Sequence, residues 1–386
     1  MARQFSALLV AATVALTGCS RHAADAPAQS SAAGASGPAA SAGGSGIEAP
    51  STPDPSAAAG PAADAPSGSE AAWNAMAASG DARAAADARS AATAEAEPPS
   101  TTTTKGPFLW RVEGRTPLYL FGTIHVPDDR VLALPASVNK AFSESTAVYT
   151  EIPMDNGTQM GVMGKVMLPD GSQLSDVIGQ PLYNRMTAAA EKTLGADHSG
   201  LGAMLGPLFQ RMKPWAAMSQ LSLLEFLPEM MAGKQPLDAM LYARAAAEGK
   251  TVGALETPDE QIAVFESFTL REQTRMLELT LDEIERVKPG DRTQTQELID
   301  AYLSGDMTVV SRVMDEAMAG DRALMARFQD IAITQRNNHM TARILALRRQ
   351  QPATIFFVAV GTAHYAGPTG IVAQLQKSGL KVERVP

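Results

Sequence analysis

Leu118-Tyr-Leu-Phe-Gly-Thr-Ile-His125 and Phe357-Val-Ala-Val-Gly-Thr-Ala-His364 are two versions of one phrase. Each is an apolar, strand-like run that stops at Gly-Thr and then presents a histidine. The 386-residue chain has only five histidines, and two of them occupy the same place in the same motif. Gly122 and Gly361 let the chain turn sharply off a strand and let other groups approach closely. The repetition predicts that both runs lie in one sheet and that His125 and His364 leave the same edge of it. Open α/β sheets place their ligand sites at that edge. Two imidazoles meeting there point first to a shared metal.

Working outward, residues 108–112 and 118–121 are apolar runs separated by Glu113-Gly-Arg-Thr-Pro117, a hairpin signal with a longer loop. A short helix is expected over 136–144. A buried strand is expected over 146–152, carrying Glu151 near its C-terminal end. From about residue 174 to 350 the pattern is mainly helical. Its clearest helix spans 235–249, with Pro236 at the start, Asp238 in the first turn and Gly249 past the end. A strand at 251–255 follows, then a helix opened by Pro258, and further helices near 267–288, 291–303, 306–317 and 321–349. The methionines Met204, Met212, Met218, Met230, Met231 and Met240 read as core filler. A strand at 354–360, a helix at 370–378 and a strand at 381–385 close the chain. The expected fold is α/β (α+β): a mixed sheet from two similar strand–Gly-Thr-x-His–helix–strand halves, with a large helical insertion.

The N-terminus reads as a targeting segment. Arg3 precedes an apolar run from Phe5 to Ala15 that is too short to span a bilayer, and Leu16-Thr-Gly-Cys19 resembles a bacterial lipobox. Cys19 is the chain's only cysteine. This reading gives a signal peptide over 1–18, lipidation at Cys19, and an outer-membrane lipoprotein facing the periplasm. The expected attachment is to the membrane by the lipid anchor. Residues 19–105, rich in Ala, Gly, Ser and Pro, lack the apolar content to fold and read as a tether. The folded domain is then 106–386. With no second thiol, any metal site in it uses nitrogen and oxygen ligands. A net charge of −9 without a basic patch argues against nucleic acid as a partner.

Glu151 is the natural third member of the site. A carboxylate interrupting a buried strand is costly unless it is paired or bound to a cation. The alternative is a salt bridge to Arg111 or Arg336. Asp128 and Asp129 offer further oxygens, or are solvated loop residues. Glu256 ends another strand run and either faces the same crevice or precedes a helix N-terminus. Arg336, beside Asn337 on a helix with Met340 and Ile344, either clamps a substrate oxyanion or neutralises Glu151. His198 and His339 lack the motif and read as surface or helix residues. No Gly-x-Ser-x-Gly elbow, His-Glu-x-x-His helix or phosphate-binding glycine loop is present.

With these residues assembled, the chain resembles the TraB/GumN family, also called the TIKI family, from about Phe108 to Val385. The two Gly-x-x-His motifs match Gly122–His125 and Gly361–His364, and the glutamate after the second conserved strand matches Glu151. Leu237-Asp238, Ala247, Gly249-Lys250, Leu255-Glu256-Thr257, Arg336-Asn337 and the run from Gly361 to Gly367 match the remaining motifs in order. The resemblance implies a fold shared with erythromycin-esterase-like and haem-binding ChaN-like proteins. It also implies, from animal members, metal-dependent proteolysis supported by Mn2+ or Co2+, in which both motif histidines and the glutamate are essential; the nitrogen and oxygen ligand set admits Zn2+ as well. The leading expectation is therefore a lipid-anchored metallohydrolase, a peptidase acting on a peptide or protein substrate. His125, Glu151 and His364 would hold the metal. Glu151 would alternatively serve as general base, and Arg336 would position substrate. Three rivals share these residues: a haem-, metal- or peptide-binding protein without turnover, a metal-free hydrolase with a histidine base, and a scaffold whose site has decayed.

Overall fold

A computed structural model describes residues 106–195, 199–288, 290–317 and 320–386. The signal segment 1–18, Cys19, the tether 19–105 and His198 lie outside the described residues. Six strands form one sheet: β1 (Leu109–Val112), β2 (Leu118–Thr123), β3 (Ala147–Thr150), β4 (Thr251–Ala254), β5 (Phe356–Gly361) and β6 (Val382–Arg384). Their spatial order is β4-β3-β5-β2-β1-β6. β1 pairs antiparallel with both β2 and β6, while β2–β5, β5–β3 and β3–β4 are parallel. Every residue of β2 and β5 is buried. That explains why both read as unbroken apolar runs, as strands covered on both faces do.

The two Gly-Thr-x-His strands are immediate neighbours. Gly122 aligns with Val360 and Thr123 with Gly361, so both histidines emerge at the same C-terminal edge. The connection leaving β2 steps over β5 to reach β3, and the connection leaving β5 steps over β2 and β1 to reach β6. The two crossovers depart in opposite directions from adjacent parallel strands. That is the topological switch point at which a sheet of this kind opens a crevice.

The motifs interlock through small residues. A methyl group added at Gly122 would lie 2.7 Å from Thr362 Oγ1 and 2.8 Å from Phe108 Cβ. Only glycine lets β2 come this close to the second motif. The Thr362 hydroxyl donates to the Thr123 carbonyl at 2.9 Å, and the Tyr302 hydroxyl donates to the Gly122 carbonyl at 2.9 Å.

The helices that shape the site are α1 (Ala136–Glu144), α2 (Leu237–Ala247), α3 (Pro258–Glu266), α4 (Leu270–Arg286), α5 (Arg336–Gln350) and α6 (Ile371–Lys377). α3 and α4 each start with a complete capping box, Thr257 with Glu260 and Thr269 with Glu272. α2 packs against β3 and β4, which brings its first turn toward the sheet edge. None of the described helices is long and apolar enough to cross a membrane.

Three expectations need correction. β3 ends at Thr150, so Glu151 stands one residue past the strand and not within it. The single helix expected over 321–349 is three pieces: Arg322–Phe328, a π-helical stretch Gln329–Gln335, and α5. Among the methionines, Met212 and Met218 are core and Met240 packs against it. Met231 is 65% exposed, because the short helix Leu227–Met231 has no buried residue.

Candidate functional site

The two motifs diverge after their shared glycine. β2 continues through Thr123, and His125 follows in an open loop, whereas Thr362–Tyr365 form a 3-10 turn that carries His364. Pro127 disfavours helical backbone at Val126, and the Val126 N–H turns back to the Ile124 carbonyl at 2.9 Å, so His125 sits at a tight bend and not in a helical turn. Proline does not occur in the second motif until Pro368, beyond the turn.

At the sheet edge the side chains converge on Glu151. Its Oε1 accepts the Gly361 backbone N–H at 2.7 Å and lies 3.8 Å from both His125 Nε2 and His364 Nε2. Its Oε2 accepts from Arg336 at 2.5 Å and from the Gln261 amide at 3.0 Å. Arg336 also grips Glu256 through Nε and one terminal nitrogen, at 2.6–3.1 Å, and donates to the Ala332 carbonyl inside the π-helical stretch at 3.3 Å. Gln261 bridges to Glu256 at 3.1 Å. The π-helix directly before Arg336 shifts the register of the helix that delivers Arg336 and Asn337, a common use of such segments at functional sites.

Each imidazole is held from behind. The Asn337 amide nitrogen donates to the Thr369 carbonyl at 2.9 Å, so its oxygen faces His364 Nδ1 at 2.7 Å. Nδ1 of His364 therefore carries the proton and Nε2 keeps its lone pair. Burial, followed by the Arg336 charge, takes His364 down to about 3, so it is neutral. His125 Nδ1 lies 2.9 Å from Asp238 Oδ1, an ion-pair contact within hydrogen-bond distance. Burial acts to lower His125, but Asp238 and Glu151 outweigh it and push it up to about 9. Burial likewise opposes ionisation of Glu151, yet Arg336, both imidazoles and the Gly361 N–H hold its carboxyl far below the usual carboxylate range.

The site fits a cation in its chemistry, though it is not assembled as a finished coordination shell. Among the described residues, no three His, Cys, Asp or Glu side chains stand as a ready metal-binding group. Both Nε2 atoms are nevertheless buried without a hydrogen-bond partner. Two ligands at about 2.1 Å from one ion can be at most about 4.2 Å apart, so a separation of 3.8 Å can be bridged. Charge points the same way. Glu151, Glu256 and Asp238 are buried with Arg336 as the neighbouring guanidinium, leaving one negative charge in excess with His125 protonated and two once both imidazoles are neutral.

Of the residues expected from sequence, His125, Glu151, His364, Arg336, Asn337 and Glu256 come together, with Gly122 and Gly361 beneath them. The Glu151 salt bridge expected as an alternative is present, with Arg336 and not Arg111. Asp128 caps the helix Asp129–Leu132 and pairs with Arg130, and Asp129 pairs with Lys234, so neither joins the cluster. His339 is exposed on α5. Asp238 and Gln261 were missed as site residues. Asp238 read as a first-turn acid favoured by the helix dipole, and nothing marks Gln261 as buried except its place one turn after Pro258. A cavity of about 490 Å3 bounded by Lys192, Leu221, Glu225, Ile284 and Val287 lies among the inserted helices and includes none of these residues.

Comparison with known proteins agrees with this arrangement of motifs. The chain is 28% identical to metalloprotease TIKI2 of Xenopus tropicalis over 327 residues, covering 76% of this chain and 62% of the relative. It is 28% identical to metalloprotease TIKI1 of Danio rerio, covering 72% and 63%, and 27% identical to human metalloprotease TIKI1, covering 76% and 65%. The chain thus spans less than two thirds of the length of these curated relatives. No solved structure matches. The pattern of the TraB/PrgY/gumN family matches residues 108–384, from the first strand to the last, and the chain belongs to that family.

Proposed function

We propose that this chain is a metal-dependent peptidase of the cell envelope, with His125 and His364 as ligands of a divalent cation and Glu151 as third ligand or general base. One observation carries the reading. Two buried imidazole Nε2 atoms without partners face the same Glu151 oxygen at 3.8 Å, in a cluster with excess negative charge. A cation bound there would polarise a peptide carbonyl and acidify a water. The residues supply the rest. Asn337 and Asp238 orient the two rings. Glu151 Oε1 retains a lone pair beyond the Gly361 N–H and can accept a proton at that atom. Arg336 is engaged by Glu151, Glu256 and Ala332, which favours charge compensation over the substrate clamp expected from sequence.

The metalloprotease names of the relatives support a protein or peptide substrate. The test uses the full chain, stripped with chelator and resupplied with Mn2+, Co2+ or Zn2+, against a peptide library read by mass spectrometry. Cleavage is expected to vanish and return with metal. His364→Ala is expected to bind no metal and to lose about 10^3-fold or more of the activity. Unchanged metal affinity in His364→Ala would place the site elsewhere. The cluster is closed, with His364 fully buried and Glu151 5% exposed, so a peptide reaches it only after covering chain moves. That closure favours the second reading, a cation held without turnover. Metal bound at the histidines with no peptide cleaved under any of the three metals would support it.

The proposed location rests on the lipobox-like Leu16-Thr-Gly-Cys19. Labelling with a fatty acid analogue is expected to mark the wild-type chain and not Cys19→Ser, which should leave the membrane fraction. Equal labelling of both would end the lipoprotein reading.

A further inference from the structure

Asp238 is buried, only 2% exposed, and among the described residues its carboxylate oxygens have no partner other than His125. A carboxylate in that state costs several kcal/mol unless a donor or a positive charge faces it. The group that faces it is His125 Nδ1, at 2.9 Å. Asp238 lies in the first turn of α2, where free backbone N–H groups and the helix dipole favour a negative charge. α2 is anchored on β3, the strand that delivers Glu151, so Asp238 and Glu151 are fixed to the same part of the sheet.

His364 has a different support. Its Nδ1 faces the neutral Asn337 amide, which is itself pinned by the Thr369 carbonyl. The two imidazoles therefore sit in matched positions with unmatched partners, a carboxylate behind one and an amide behind the other. A carboxylate behind Nδ1 fixes the ring and raises the electron density available at Nε2 more than an amide does.

We infer that Asp238 is the positioning residue for His125 and makes His125 the stronger donor of an unequal pair, with Asn337 fixing the weaker one. The inference rests on the proposed cation site for its consequence but not for its geometry. Asp238 touches neither cation nor substrate in this assignment; it acts through the ring.

The test has two readouts on the full chain. In metal-free protein labelled with 15N-histidine, a slowly exchanging His125 Nδ1–H resonance is expected in the wild type. It should be lost in Asp238→Ala and in His125→Ala, the latter serving as the assignment control. In Asp238→Asn it should be retained but shifted, because an amide oxygen can still accept. Titration with Co2+ alone, followed by visible absorption, is expected to show about 10–100-fold weaker binding and an altered spectrum in Asp238→Ala, with a smaller loss in Asp238→Asn. Thermal unfolding of each variant shows whether the fold is retained. If Asp238→Ala does not fold, the Asp238→Asn arm decides. An unshifted resonance together with wild-type Co2+ affinity in that variant overturns the inference. So does a His125 Nδ1–H signal in Asp238→Ala like that of the wild type. Should the wild type bind no Co2+ while the resonance behaves as expected, the cation reading fails and the positioning role stands.

Discussion

Arg336→Met is expected to destabilise the domain by about 3–5 kcal/mol, the largest stability loss of any single change in the cluster. The guanidinium is buried and faces two carboxylates, Glu151 and Glu256, that are themselves at most 5% exposed. Methionine fills much of the same volume, so the change isolates charge and hydrogen bonding from packing. Removing the guanidinium leaves two buried acids sharing only the Gln261 amide between them, with the Gly361 N–H on Glu151. Burial alone favours the neutral carboxyl, and the foremost influence opposing it for Glu151 is the Arg336 charge. Glu151 should therefore tend to take up a proton in the variant, and stability should fall further as pH rises and drives that proton off. The sign follows from linkage: a carboxyl whose folded-state pKa is raised above its unfolded value favours the unfolded chain at higher pH. Urea unfolding of metal-free protein at two pH values checks this. A variant with wild-type midpoint and slope would mean that Arg336 does not balance the acids.

Sequence reading reached the sheet edge but not the back of the site. The repeated motif was legible because its two runs are apolar throughout, and a strand covered on both faces has no polar side to obscure it. Once both runs belong to one sheet, the placement of His125 beside His364 follows from strand direction alone. Glu151 and Glu256 were legible for a similar reason, since a charge at the end of a buried run has few places to go. The Arg336 partnership with Glu151, across 185 positions, was legible as one of two options, but the choice of Arg336 over Arg111 depends on a π-helical register that no local pattern announces. Asp238 and Gln261 lie on helices where one polar residue per turn is ordinary, so their burial is a property of packing and not of spacing. The different backbone after each glycine had a visible cause in Pro127, which the likeness of the two motifs obscured. Met231 shows the converse error: an apolar residue in a helical run reads as core until the helix proves too short and peripheral to bury it.

Glu151→Gln is expected to abolish cation binding and peptidase activity, and to lower stability by about 2–4 kcal/mol, although glutamine has almost the same shape. The reason lies in hydrogen-bond direction. Oε1 must accept from the Gly361 N–H, and Oε2 must accept from both Arg336 and Gln261. A carboxylate offers acceptors on both sides, but an amide offers one acceptor and one donor. With the amide oxygen toward Gly361, the NH2 meets the Arg336 guanidinium and the Gln261 amide head on. With the amide flipped, the NH2 meets the Gly361 N–H and points toward the two imidazoles. Either orientation leaves buried donors facing donors, each worth about 1–3 kcal/mol and more where a charge is involved. The flipped form also removes the oxygen lone pair that lies 3.8 Å from each Nε2, so the cation position loses that carboxylate oxygen. Calorimetric titration with Mn2+ and urea unfolding separate the two consequences. Glu151→Asp keeps both acceptors on a shorter arm, so it should recover part of the stability. It should recover little of the binding, because the shorter arm draws the carboxylate oxygen back from both Nε2 atoms. Wild-type Mn2+ affinity in Glu151→Gln would remove Glu151 from the site and leave it a structural partner of Arg336.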